Sequence, residues 1–173
     1  RAFDQELRSQ LRDHQENPET LALILIDIDY FKNFNDRYGH QTGDHILQQV
    51  AKVFKQVARS SDIVARYGGE EFALILPSST KKSVLEIAER TRSLVEGHRF
   101  DYQGLVHRLT ISVGVALAGP EDDEQSFCER VDAALYSSKE SGRNSVHYHD
   151  GRACVRFGSG FAASRSKKED PNN

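Results

Sequence analysis

Cysteine is scarce: the 173 residues hold two, Cys128 and Cys154. That excludes a disulfide scaffold and a four-cysteine zinc site, and it suits a reducing compartment. Positive charge is not in excess either. Lys and Arg number 23 against 26 Asp and Glu, a formal net charge of −3, so nucleic acid and anionic membranes are not expected as main partners. Long apolar runs are missing. The longest, Leu21 to Ile26, falls far short of the roughly 20 residues that a membrane span needs. No signal-peptide pattern stands at the N-terminus, and no internal repeat is visible. The chain opens on Arg1 rather than Met, as a piece of something longer would. What remains is ordinary globular composition, 38% apolar, 28% charged and 9% aromatic. The size is that of one domain, able to bury about 70% of its unfolded surface.

Hydrophobic spacing lays out the elements. Residues 2–15 predict a polar helix with Phe3, Leu7 and Leu11 on one stripe, stopped by Asn17-Pro18. Leu21–Ile28 is apolar on both faces, as a central buried strand is. Thr42–Val57 follows a helical period through Ile46, Leu47, Val50, Val53, Phe54 and Val57. Ile63–Tyr67 and Phe72–Leu76 read as a hairpin about Gly68-Gly69-Glu70-Glu71. Pro77 ends it, and Thr80 caps the next helix, striped by Val84, Leu85, Ile87, Ala88, Leu94 and Val95. Leu109–Leu117 alternates strictly, a strand with one well-filled core face. Ser126-Phe127-Cys128-Glu129 reads as a capping box, opening a helix that Gly142 closes. Ser145–Tyr148 is a last strand, and the Gly- and Ser-rich tail from Gly158 is expected to be floppy. Strands interleaved with helices, plus one hairpin, imply an α/β (α+β) fold: a mixed sheet covered by helices.

Two acidic clusters carry potential chemistry. Asp27-Ile28-Asp29 ends the most buried strand, where residues i and i+2 share a face. Acids there are costly unless something positive joins them, and Mg²⁺ favours one or two carboxylates with substrate phosphates. Glu70-Glu71 forms the hairpin tip, behind two glycines, Gly68 and Gly69, whose backbone a phosphate can approach closely. If the hairpin lies beside the first strand, the clusters converge. The plainer alternative is two solvated acid pairs in turns. Spacing favours a site, because Lys32, Asn35, His40 and Asp44 follow the first cluster within one segment. The end of a central strand is where open α/β sheets usually bind ligands.

These residues resemble a known family. Arg66-Tyr67-Gly68-Gly69-Glu70-Glu71-Phe72 is the GG(D/E)EF motif of the diguanylate cyclases. Asp27 to Lys32, Asn35-Asp36, Tyr38-Gly39-His40 and Gly43-Asp44 match its second block. Ser112 to Val115, Ala133 to Tyr136, Lys139 and Ser141-Gly142-Arg143-Asn144 match later ones. Four blocks in order, over about residues 1–150, make the resemblance specific; residues 151–173 are expected to be a flexible extension. The family's D-x-L-T-x-L-x-N-R block is absent, and the chain is expected to start just past it.

The resemblance implies condensation of two GTP into cyclic di-GMP with release of two pyrophosphates, on a fold similar to the palm of nucleotide cyclases and polymerases. Asp27, the Ile28 carbonyl, Glu70 and Glu71 would hold Mg²⁺, with Mn²⁺ as the alternative. Glu70 would also be the base for the attacking 3′-hydroxyl, and Lys32 would offset phosphate charge. Asn35 and Asp44 would contact guanine with His40 nearby, and Lys139 and Arg143 would reach the terminal phosphates. Asp29 is left between a ligand and a structural part. Arg59-Ser60-Ser61-Asp62, completed by Arg90, would be an inhibitory product site, since arginine forks suit guanine edges and phosphates. The plainer reading is an exposed helix-end salt bridge. A transient homodimer in the cytoplasm is expected, without direct membrane contact by this piece. The alternatives are a non-catalytic cyclic di-GMP receptor using the RxxD site, and another Mg²⁺-dependent nucleotide enzyme on the same palm. His147 and His149 could bind metal but lack a third ligand, and Cys128 is expected to pack.

Overall fold

The computed structural model describes residues 2–16 and 20–158. The predicted stop at Asn17-Pro18 and the tail from residue 159 lie outside them. Helix α1 (Ala2–Glu16) buries Phe3, Leu7 and Leu11, the predicted stripe. Strand β1 (Leu21–Ile28) is buried along all its residues. Tyr30, at φ 57°, turns the chain sharply into α2 (Phe31–Tyr38). Gly39, at φ 83°, breaks α2 from α3 (His40–Val57). The hairpin is β2 (Ile63–Arg66) and β3 (Glu71–Pro77). Helix α4 (Lys81–Gly97) begins where expected, with the Ser83 N–H donating to Thr80 Oγ1 at 3.2 Å. A small ribbon, β4 (Phe100–Tyr102) and β5 (Leu105–His107), precedes β6 (Ile111–Leu117). Helix α5 (Glu124–Glu140), β7 (Val146–His149) and β8 (Cys154–Arg156) complete the described chain.

The main sheet has the order β2-β3-β1-β6-β7-β8, antiparallel except for the parallel pair β6-β7. Period-two alternation sends Ile24, Ile26 and Ile28 of β1 to one face, against α2, α3 and α4. Leu21, Leu23 and Leu25 face α1 and α5 on the other.

Three expectations need correction. Strand β6 fills both faces, since Ser112, Gly114 and Ala116 of the supposedly poor face are buried under α5. A Cβ on Gly114 would stand 2.3 Å from the Leu135 backbone nitrogen and 2.5 Å from the Val131 carbonyl. Glycine is there because helix and strand touch backbone to backbone. Helix α5 starts earlier than predicted: its capping box is Asp123 with Ser126, and an aspartate three residues upstream caps as well as a serine. The sheet also continues past residue 150, where β8 pairs with β7 and the Phe157 N–H donates to the Val146 carbonyl at 2.9 Å. No helix among the described residues is long and apolar enough to cross a membrane.

Candidate active site

The C-terminal end of β1 gathers the acids. Asp27 is 9% exposed, and Lys139 of α5 donates to its Oδ2 at 2.7 Å. A carboxylate at the mouth of a buried strand needs a positive partner, and this lysine supplies it. Asp29, just past the end of β1, is fully engaged. The Thr110 and Ser112 hydroxyls donate to it at 2.7 Å each, and the Asn144 N–H donates at 3.1 Å. Asp29 therefore ties β1 to β6 and to the loop after α5, the structural part of the two left open by sequence.

The hairpin brings the second pair. Strand β3 lies beside β1 with Glu71 opposite Asp27, and the Ile28 N–H donates to the Glu70 carbonyl at 3.3 Å. The N–H and C=O of a strand residue leave by the same edge, so the Ile28 carbonyl also faces the turn. The Tyr67 and Gly68 N–H groups both donate to the Glu71 carbonyl, at 2.8 and 3.2 Å. Arg66 fastens the turn from outside, donating to the Gly68 carbonyl at 3.2 Å and to the Gly69 carbonyl at 3.1 and 2.6 Å. The motif contains Arg66, but sequence gave it no task. A Cβ on Gly68 would meet Glu71 Oε2 at 2.5 Å, whereas the space beside Gly69 is open.

Burial lifts the Glu70 carboxyl above the usual carboxylate range, and the Asp27 and Glu71 charges lift it further against the pull of Lys139. Crowded hard oxygens are what a divalent cation relieves. Among the described residues no three acid, imidazole or thiol groups form a ready-made ion site. Mg²⁺ does not require one: it takes one or two carboxylates and completes its shell with water and phosphate oxygens. The residues present fit such an ion.

Lys32 lies exposed in the first turn of α2, and His40 exposed at the start of α3. Asn35 has its Oδ1 buried without a hydrogen-bond partner, beside Gly43. Asp44 is exposed and lines a groove of about 460 Å³ with Gln48, Lys55, Arg66 and Phe72. The Arg143 guanidinium lies over the Tyr30 ring, 4.5 Å from its centroid, with Nη1 3.4 Å from Tyr30 Oη. Tyr30 was another residue that sequence did not single out.

The RxxD segment is separate from this cluster. It closes a turn rather than an ion pair: the Arg59 N–H donates to Asp62 Oδ2 at 2.7 Å, and the Asp62 N–H to the Arg59 carbonyl at 3.1 Å. The Arg59 side chain stays exposed. Arg90 donates to the Val57 carbonyl at 2.9 Å, two residues before Arg59. The two histidines are locally engaged. His147 Nδ1 lies 2.9 Å from Ser138 Oγ, and His149 Nδ1 accepts from the Gly151 N–H at 3.1 Å. Cys128 packs against the α1–α5 core, and burial pushes its thiol up to about 11.

Comparison with known proteins identifies the family. The family model for the diguanylate cyclase GGDEF domain matches residues 1–145. Diguanylate cyclase A of Treponema denticola is 46% identical over 132 residues, covering 76% of this chain and 36% of the relative. The response regulator PleD of Caulobacter vibrioides is 40% identical over 131 residues, covering 74% of this chain and 29% of the relative. The chain thus spans about a third or less of those relatives. The crystal structure of the GGDEF domain of DgcB from Caulobacter crescentus in complex with c-di-GMP has a TM-score of 0.82 at 40% identity, covering 86% of this chain and 88% of that one. The active GGEEF domain of a diguanylate cyclase from Vibrio cholerae has a TM-score of 0.77 at 31% identity, covering 83% and 92%. The chain belongs to the GGDEF family of diguanylate cyclases.

Proposed function

We propose that this domain joins two GTP molecules into cyclic di-GMP, releasing two pyrophosphates. The observation that carries the reading is the β1–β3 register, which sets Glu71 opposite Asp27 and bonds Ile28 to Glu70. In each of two steps a 3′-hydroxyl attacks the α-phosphate of the other nucleotide and pyrophosphate leaves. Asp27, the Ile28 carbonyl, Glu70 and Glu71 would hold Mg²⁺, or Mn²⁺ in its place. The ion supplies charge neutralisation at the phosphates. Glu70 accepts the hydroxyl proton, the part a positioned carboxylate plays in general base catalysis. Lys32, Lys139 and Arg143 offset phosphate charge, the main work of phosphoryl-transfer sites. The unpartnered Asn35 Oδ1 and the Asp44 carboxylate are acceptors, and the Watson–Crick edge of guanine offers N–H donors. That match favours GTP over ATP, with His40 beside the base and the Gly68-Gly69 backbone beside the phosphates.

The product also regulates. Arg59 at the exposed turn and Arg90 on α4 present guanidinium groups, forks suited to guanine and phosphate, with the Asp62 carboxylate closing the turn between them. The intact acid pairs favour turnover over a receptor that only binds. Incubation with GTP and Mg²⁺ should yield the cyclic product. Asp27→Asn and Glu70→Gln should each cut turnover by at least about a hundredfold, on the scale of losing a transition-state electrostatic contact, while the melting temperature shows that the fold persists. Arg59→Ala should keep turnover and lose product inhibition. Comparable activity in either acid variant at saturating Mg²⁺ would overturn the assignment.

A further inference from the structure

Three consecutive residues after α5 occupy the left-handed region: Gly142 at φ 101°, Arg143 at 64° and Asn144 at 43°. Glycine does so freely, but side-chain sterics disfavour an arginine and an asparagine in succession. Such a backbone persists where its surroundings over-determine it, and α4 does this through a closed ring of hydrogen bonds. Arg92 Nη1 donates to Asn144 Oδ1 at 2.6 Å, Asn144 Nδ2 donates to Glu96 Oε1 at 2.7 Å, and Arg92 Nη1 donates to Glu96 Oε2 at 2.8 Å. Arg92 is itself anchored, its Nε lying 3.0 and 3.1 Å from the two Glu89 carboxylate oxygens. Its side chain is 13% exposed. From the main chain, the Asn144 N–H reaches Asp29 at 3.1 Å. One asparagine thus joins α4 to the acidic end of β1, and the residue just before it is Arg143.

We propose that Arg92 and Glu96 are positioning residues for triphosphate binding. They grip Asn144, and Asn144 fixes the left-handed backbone that aims Arg143 along Tyr30 at the site. This rests on the function proposed above. An ion pair serving stability alone would leave nucleotide affinity unchanged.

The test is GTP affinity, measured by calorimetry with Mg²⁺ on the whole chain, with melting temperatures alongside. Asn144→Gly keeps the left-handed backbone accessible and removes only the grip. It should weaken GTP about fivefold, the net worth of roughly one hydrogen bond. Glu96→Ala, on the exposed side of α4, should do the same, and Glu96→Gln, which retains an acceptor for Asn144, should restore most of the affinity. In an Arg143→Ala background, Asn144→Gly should add no further loss. Equal losses with and without Arg143, or no loss in Asn144→Gly while the parent binds GTP, would overturn this inference alone. A parent chain that binds no GTP would overturn it together with the functional reading.

Discussion

A glycine inside a helix costs about 1 kcal/mol relative to alanine, yet α3 carries one, buried, in its first turn at Gly43. A Cβ there would lie 1.9 Å from Asn35 Oδ1, 3.0 Å from Asn35 Cγ and 3.2 Å from Phe31 Cζ. The missing side chain keeps a berth for the Asn35 amide, the proposed reader of guanine. Gly43→Ala should therefore separate stability from binding. The helix gains propensity, so the melting temperature should hold, while Asn35 swings away and GTP binds about tenfold weaker, as expected for losing one or two hydrogen bonds to the base. Preference for GTP over ATP should shrink with it. An unchanged GTP affinity in Gly43→Ala would remove Asn35 from the base site. Asp27 on β1 and Asp29 just past its end show the same economy of position. They stand two residues apart, yet Asp27 meets a lysine and Asp29 meets two hydroxyls and an N–H, so one is left available for chemistry and the other is a structural tie.

Among the elements, the seam between α5 and β7 holds a buried histidine. The Ser138 hydroxyl donates to the Val113 carbonyl at 2.7 Å, leaving its oxygen to accept from His147 Nδ1–H. Burial, and then Arg156 opposite on β8, hold the His147 imidazole below its ordinary value. Its folded pKa thus lies below the unfolded value of about 6.5, and between the two the unfolded chain binds more protons. The contribution of His147 is complete above about pH 6.5 and falls as the pH drops toward the folded value. Urea midpoints at about pH 7.5 and 5.5 should show a loss in the parent that His147→Gln reduces; an equal loss in both would place the acid sensitivity elsewhere. The seam also marks where sequence is readable. β1, as an unbroken apolar run, and α3, α4 and the hairpin, by their periods, were legible, although Leu94 of the predicted α4 stripe is exposed. Helix α2 has eight residues, and β4, β5 and β8 have three each, too few for a period to rise above chance. The buried second face of β6 was hidden because Ser, Gly and Ala there look neutral. The site followed the same rule. Its acids, glycines and Asn35 were visible as residue types, but the Thr110, Ser112 and Asn144 contacts with Asp29 span more than 80 positions, and no local spacing records them.

At the scale of the whole molecule, the described chain has one GGEEF hairpin beside one β1, and so one proposed nucleotide site. Cyclic di-GMP has two phosphodiester links, each made when one nucleotide attacks the other. The proposed reaction would then need two domains facing each other across a two-fold axis, each presenting the same surface. Much of what meets in that encounter would be nucleotide rather than protein, so a small protein interface and a transient complex are expected. The curated relatives extend well beyond the matched segment, and segments that hold two domains together raise their effective concentration. Without such help the rate depends on collision of two loaded chains. The specific activity of this chain should therefore rise with its concentration, close to linearly while dimers are rare, and light scattering without nucleotide should report mainly monomer. Fusion to a dimeric coiled coil should make specific activity nearly independent of dilution. A constant specific activity from a strictly monomeric chain would mean that one domain completes both links alone, which the single hairpin does not allow.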